Sequence, residues 1–409
     1  MVALLVMAGS AVFVFVPGVH DKAENGLLRL QSWWQEQQPH EMYVPPPPEM
    51  TDEPVALSTP VATPTPTIHP GSENSATNAT ATPTTRPTST AKPGVAIAPA
   101  PAQVRLTNFK HDYQGWNNCG PTTLGMLLSH FGFSDTQKEI APVVKPNSND
   151  KNVSPEELLG YVHSKTGISA LVRVDGSMEL LKRLMANGFP VIVETWFNPH
   201  PNDGMGHYRL LFAYDDAQAK FFALDSYLGP NTSIPYDEFD ADWKAFNRLY
   251  LVAFQPRQAD LLNALMGAAR DDRAMWTQAK AHAQGEITSN GADAFAWYNL
   301  GSSLGALGDQ TGAAKAFDRA RKIGLPWRML WYQFQMFDTY LAVARYQDVL
   351  DLSSANLRQA ADLEESYYYR GRALQAQGKT LDAIAAFREA LRLNKNYQAA
   401  AQALEKLSG

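Results

Sequence analysis

One cysteine in 409 residues excludes an intramolecular disulfide and a metal site built on clustered thiolates. Cys119 is therefore structural, reactive or incidental. Basic charge is scarce as well: 35 Lys and Arg stand against 41 Asp and Glu, a net charge of -6. Such a chain has no field for collecting phosphates, which sets nucleic-acid binding aside. Large apolar and aromatic side chains are nearly missing from Pro45 to Pro101, so this stretch cannot bury enough surface to offset its ordering entropy. Residues 21–103 read as a disordered Pro/Thr/Ser-rich linker, an extended spacer. Long apolar runs are missing except one, Val2 to Val19. It carries no charge and is about long enough to cross a bilayer. Residues 1–20 are thus expected to be a membrane anchor, with a cleaved signal segment as the rival reading. The rest of the chain would then lie outside the cytoplasm, tethered by one pass or secreted if the segment is removed. There a lone thiol meets oxidants, which favours a chemical role for it.

What remains is enough for two folded units, given 45% apolar residues and more length than one ordinary domain uses. Residues 104–256 mix periods. Leu124, Leu127, Leu128 and Phe131 have helical spacing, Ser154-Pro155-Glu156-Glu157 is a capping box with proline at the first helical position, and a further helix from Ser177 stops at Asn187-Gly188. Strands are expected at Val191–Trp196, Tyr208–Tyr214 and Phe221–Leu224. Residues 257–409 read as helical throughout. Trp297-Tyr298-Asn299-Leu300-Gly301 recurs as Tyr367-Tyr368-Tyr369-Arg370-Gly371, and Gly308, Ala313, Phe317 and Ala320 recur as Gly378, Ala383, Phe387 and Ala390. Each offset is twice a 35-residue unit, close to the tetratricopeptide period, with a degraded middle unit around Trp331, Tyr332, Tyr346 and Leu350 and a capping pair from Leu261 to Gln284. In such an array the first helix of each pair lines the concave face. Asn299, Ser302, Ser303, Arg370 and Arg372 are expected there, available to a protein or peptide.

The chemistry centres on Gln114-Gly115-Trp116-Asn117-Asn118-Cys119-Gly120-Pro121. Cys119 sits just before an amphipathic helix, where unsatisfied N–H groups and the helix dipole lower a thiol's pKa. Among nine histidines, His207 is the best general base because it opens a strand. If the next strand returns as a hairpin turning near Asp215 to Ala219, its end at Asp225 comes beside His207 and can orient the ring. Asp203, Asp215 and Asp216 are alternatives for that role. Gln114 is placed to offer its amide to an oxyanion. A small buried hydrophobe capping a helix is the bland account of Cys119. His130, on the polar side of the Cys119 helix, reads as a solvated residue and His200, between two prolines, as a loop residue; neither has a partner at metal-ligand spacing, and neither a metal nor a cofactor is expected.

Those residues, with Gly188-Phe189-Pro190-Val191-Ile192-Val193, Gly206-His207-Tyr208 and Asp225-Ser226-Tyr227-Leu228-Gly229-Pro230, resemble the C39-like peptidases, papain-like enzymes related to bacteriocin-processing peptidases. The resemblance spans about Val104 to Phe254. It implies an α+β papain-like domain with Cys119, His207 and Asp225 as a triad and Gln114 as oxyanion donor, followed by an all-α tetratricopeptide solenoid. It departs from the family in Ser226, where proline is frequent. A cysteine peptidase acting on peptide bonds is the expected activity; a catalytically silent scaffold, or an acyl transferase of the same fold, is the alternative.

Overall fold

The computed structural model describes residues 43–48, 96–199 and 204–408. The apolar run Val2–Val19, most of the linker, His200 and Asp203 lie outside the described residues. Among the described residues no helix is long and apolar enough to cross a membrane.

Seven antiparallel strands form one sheet: β1 (Gln103–Arg105), β2 (Ser169–Arg173), β3 (Val191–Phe197), β4 (Met205–Asp215), β5 (Lys220–Asp225), β6 (Gly229–Pro235) and β7 (Tyr250–Phe254). Their order is β2-β7-β3-β4-β5-β6, with β1 also paired to the far end of β4. The β4–β5 hairpin sets the register that matters, Arg209 opposite Asp225. Among the described residues four helices lie between β1 and β3: α1 (Cys119–His130), α2 (Gln137–Val144), α3 (Pro155–Lys165) and α4 (Met178–Ala186). Their starts follow local chemistry. Thr136 with Glu139, and Ser154 with Glu157, close capping boxes at α2 and α3, and Ser177 caps α4. One face of the sheet packs on α1 through Leu124, Leu128, Ile192 and Leu210; the other packs Leu181, Val191, Leu211 and Phe221 against α4 and α5 (Tyr236–Lys244). The strands β2, β6 and β7 and the helices α2 and α5 were not anticipated.

Beyond the sheet, α6 (Ala259–Met266) and α7 (Asp272–Ser289) lead into the helical pairs α8 (Ala294–Ala306) and α9 (Gln310–Ile323), α10 (Gln335–Ala342) and α11 (Tyr346–Gln359), and α12 (Glu364–Ala376) and α13 (Thr380–Leu393), closed by α14 (Gln398–Ser408). The 70-residue offset has a packing cause. A Cβ on Gly301 would stand 2.7 Å from the Phe317 ring, and one on Gly371 would stand 2.5 Å from the Phe387 ring. Both pairs need glycine so that a ring can lie on a helix backbone.

The two units share a core. Trp196, Ala245 and Phe246 of the sheet unit belong to the same apolar cluster as Trp297, Phe317 and Phe337 of the array. This corrects the reading of α8. Asn299, Ser302 and Ser303 are buried, and Asn299 donates to the Lys244 carbonyl at 2.8 Å. Asn299 is turned to the sheet unit, the Ser303 hydroxyl donates to the Asn299 carbonyl of its own helix, and none of the three is open to a ligand. Arg370 is exposed, while Arg372 donates to the Tyr368 hydroxyl at 2.7 Å.

Further along the same boundary, acidic side chains are buried together. Asn152 donates to Glu365 at 3.2 Å, Asn394 donates to Glu364 at 2.8 Å, and the second oxygens of both carboxyls are buried without a partner. Burial, and then the charge of Glu364, push Asp150 and Glu365 well above the ordinary carboxylate range; burial pushes Glu364 up, and Glu157 to about 7. Lys145 is the buried cation beside them, lowered to about 8 by burial against the pull of Asp150 and Cys119, and Lys151 is lowered by burial too. Carboxyls raised by folding bind protons in the native state that the unfolded chain releases. Their contribution is complete below the unfolded value near 4.3 and is lost as pH rises through the raised values. Glu365→Gln, which keeps the shape without the charge, should therefore flatten the fall in Tm between about pH 5 and pH 8 by a few degrees relative to the parent chain. Parallel melting curves for both proteins across that window would contradict the assignment.

Candidate active site

Cys119 is the first residue of α1, half-buried. The helix start is left chemically open. Asn118 is the N-cap, yet it makes no side-chain capping bond, because its amide is turned to Gln137, donating to Oε1 at 3.1 Å. The first-turn N–H groups and the positive helix end thus remain available to an anion at the sulfur or beside it.

Strand β4 brings the base. His207 is 3% exposed; its Nε2 lies 3.0 Å from Asp225 Oδ1, and its ring also hydrogen-bonds the Cys119 side chain. With Nε2 turned to the carboxylate, Nδ1 is the nitrogen left for sulfur. The next residue contributes too, since the Tyr208 backbone hydrogen-bonds Cys119. Burial works against a thiolate. The hydrogen bond and charge of His207, the Tyr208 backbone and the charge of Lys145 outweigh it and lower the Cys119 pKa. Burial likewise opposes an imidazolium, but the Asp225 carboxylate and the Cys119 sulfur raise His207 to about 9. Each group thus favours the charged form of the other, which biases the pair toward thiolate and imidazolium.

Asp225 is fully buried and fully used. Oδ1 accepts from His207 and from the backbone N–H groups of Tyr227 and Leu228, both at 2.8 Å, while Oδ2 accepts from Arg209 Nε at 2.9 Å. His207 and Arg209 are two residues apart on β4 and so share a face. Burial would raise this carboxyl, yet His207, Arg209 and the Leu228 N–H hold it far below the usual range. Arg209 is itself held by Thr195, to whose hydroxyl it donates at 2.8 Å. The two described alternatives to Asp225 are otherwise engaged. Asp215 accepts from the Ala217 and Gln218 backbones in the hairpin turn, and Asp216 pairs with Lys182 and Tyr236. His130 is half-buried: it stacks on Phe109 at 4.8 Å and bonds the Thr107 carbonyl.

Gln114 is fixed to the turn after Asp225. Its N–H donates to the Ser226 carbonyl at 2.9 Å, and the Ser226 hydroxyl donates to Gln114 Oε1 at 2.8 Å. With the hydroxyl on Oε1, the Nε2 donors of the amide are left for an oxyanion. Serine at this position, a departure from the family pattern, therefore contacts the oxyanion candidate directly. A second unanticipated residue is Gln137, at the start of α2. It accepts from Gly115 N–H at 2.7 Å and from Asn118, and it donates to Asp112 and to the Tyr113 carbonyl. One side chain thereby braces the loop from 112 to 118. Lys145 holds the same loop from below, donating to the Asn117 carbonyl at 3.0 Å. Nothing in their local sequence marks Ser226 or Gln137, because each acts on residues 19 or more positions away.

The array closes on this site. A Cβ on Gly206, the residue before His207, would meet Phe246 at 2.9 Å and the Tyr332 ring at 3.1 Å. Arg328 donates to the Gly204 carbonyl at 3.3 Å. Near the triad candidates Tyr113, Tyr227 and Leu228 are exposed apolar side chains, with Phe197 between Tyr227 and His207 at 5.4 and 4.9 Å.

Residues 100–251 match the model of the Peptidase_C39 like family, and residues 364–397 match the tetratricopeptide repeat model. The sheet unit is thus similar to the C39-like peptidases over residues 100–251. Similar solved structures include a Bacillus anthracis protein described as a C39-like peptidase, at 17% identity, covering 37% of this chain and 98% of that one with a TM-score of 0.32. Two structures of MamA, one from Desulfovibrio magneticus RS-1 and one a double mutant, are each 19% identical, covering 33% of this chain and 85% of theirs with a TM-score of 0.28. No curated protein matches the chain. The C39-like domain is thus followed by helical repeats, as the residue patterns led one to expect.

If Ser226 orients Gln114, Ser226→Ala should lower kcat of any hydrolysis the chain performs by roughly tenfold, with KM and Tm nearly unchanged, because a donor loses aim and not contact area. An unchanged kcat, or an equal loss in Tm-linked activity and KM, would remove this role.

Proposed function

We propose that the chain is a cysteine peptidase that hydrolyses peptide bonds through Cys119, His207 and Asp225, with Gln114 as oxyanion donor. The observation that carries this reading is the unbroken hydrogen-bonded order of a helix-terminal thiol, an imidazole and a buried carboxylate, inside a C39-like domain. The Cys119 thiolate attacks the peptide carbonyl, and the oxyanion is met by the backbone N–H of Cys119 and the Gln114 amide. The His207 imidazolium then gives its proton to the leaving amine, which departs and leaves an acyl-enzyme. Neutral His207 takes a proton from water, which releases the acid and restores the thiol pair. No cofactor enters these steps. Asp225 keeps Nε2 protonated so that Nδ1 faces the sulfur.

On this reading the apolar run Val2–Val19 tethers the enzyme to a membrane with its catalytic domain outside the cytoplasm, and the repeats hold a protein partner or substrate. The tether reading requires the full chain to stay with membranes through carbonate washing and to become soluble when residues 1–20 are removed. Recovery of the full chain in the soluble fraction would overturn it.

For the chemistry, Cys119 should be labelled stoichiometrically by an epoxysuccinyl reagent at neutral pH, and Cys119→Ala should abolish both labelling and hydrolysis of an unfolded protein substrate. Loss of a half-buried sulfur leaves little cavity, so stability should stay within about 1 kcal/mol of the parent. His207→Ala should cost a factor of roughly 10²–10⁴ in rate. Hydrolysis that survives Cys119→Ala would end the proposal.

A further inference from the structure

The segment Tyr43 to Pro47, expected to belong to a featureless linker, lies in the array. Val44 is 1% exposed and sits in the shared apolar cluster with Leu325, Met329 and Phe317. Its N–H donates to the Leu325 carbonyl at 2.8 Å, and Tyr43 forms an antiparallel bridge with Pro326. The Tyr43 ring lies over Gly324, where a Cβ would be 3.3 Å from it; Gly324 has φ +119° and ends α9 in the left-handed region.

From Pro45 to Pro48 the segment has no backbone N–H at all, so its polar needs there are carbonyl acceptors alone. The array supplies one matching donor. Arg321, 3% exposed, donates from Nε to the Pro45 carbonyl at 2.7 Å and from Nη2 to the Pro46 carbonyl at 3.0 Å. Its remaining edge donates from Nη1 to Asp348 at 2.9 Å and to the Tyr340 hydroxyl at 3.1 Å. Tyr340 in turn donates to Asp318, and Arg345 bridges Asp318 and Asp348. The guanidinium is thus oriented by groups of the array alone. Emptied of the segment, Nε and Nη2 would exchange two fixed carbonyl partners for water, while Nη1 keeps its bonds to Asp348 and Tyr340.

A buried, pre-oriented arginine aimed at two consecutive carbonyls, beside an apolar pocket and a backbone edge, is what a binding site for an extended peptide requires. We propose that the cleft between the end of α9 and α10 is a recognition site for a proline-containing peptide of the form Tyr-Val-Pro-Pro, filled in this chain by its own residues 43–47. The site reads an aliphatic side chain in the Val44 pocket, one N–H at that residue, and two carbonyls from residues with no N–H to desolvate. As a consequence the stalk is fastened to the array, and any pull transmitted from residues before 43 reaches the repeats before it reaches the catalytic domain.

The test uses the full chain with Val44→Asp, which puts a charge where the pocket is apolar, and a labelled synthetic peptide of residues 41–48. A site filled in cis faces a local ligand concentration in the millimolar range, so the peptide is titrated to several millimolar. Saturable binding to the Val44→Asp chain is expected, with at least tenfold weaker binding to the parent chain and to Val44→Asp combined with Arg321→Lys. A peptide carrying aspartate in place of its valine should not bind, which tests the pocket without altering the protein further. Failure of the Val44→Asp chain to bind, or equal binding of both peptides, overturns the proposal. A chain starting at residue 49 is the second host. If it and Val44→Asp both unfold, the segment is core and not ligand, and the proposal also fails.

Discussion

Everything in the candidate site is arranged about one buried carboxylate. Asp225 accepts four hydrogen bonds, from the His207 ring, the Arg209 guanidinium and two N–H groups of its own turn. A carboxylate so satisfied stays ionised although buried, and it then stabilises positive charge on His207, which in turn stabilises negative charge on Cys119. Removing charge from any one member lowers the stability of the next. Arg209 makes this arrangement sturdier than a bare triad. It neutralises the far oxygen, so the carboxylate holds the ring without leaving a lone negative charge in the core.

The helical array is part of this arrangement and not an appendage. Trp196 of β3 and Phe246 are buried by array residues, and Gly206, one position from the base, is covered by Tyr332. Lys145 ties the loop before Cys119 to the acidic cluster at the same boundary. Removing residues 257–409 would uncover apolar surface beside His207 as well as any partner site. Truncation alone therefore does not separate a recruiting role from a supporting one.

Much of the fold was legible because local rules and tertiary packing agreed. The Ser154 capping box, the Asn187-Gly188 stop and the β4–β5 hairpin are written in residues that act within a few positions. The 70-residue repeat was legible because a glycine and a ring must meet in each copy. Other elements were hidden for physical reasons. Strand β6 is Gly-Pro-Asn-Thr-Ser-Ile-Pro, which reads as turn chemistry until pairing with β5 supplies its partners. The polar face of α8 reads as open to a ligand because a sequence does not say what covers it; Asn299 donates its amide to the Lys244 carbonyl of another unit. In the site, Cys119, His207 and Asp225 were visible as chemistry, whereas Ser226 and Gln137 are ordinary polar residues whose roles exist only in three dimensions.

The central claim is that Asp225 sustains a thiolate–imidazolium pair, and the most direct measurement is the pH dependence of thiolate absorbance, taken as the difference between the parent chain and Cys119→Ala. The account predicts that the thiolate signal persists well below the free-thiol value near 8.5 and that Asp225→Ala moves its midpoint upward. A parent midpoint at or above that value, or one that Asp225→Ala leaves in place, would contradict it.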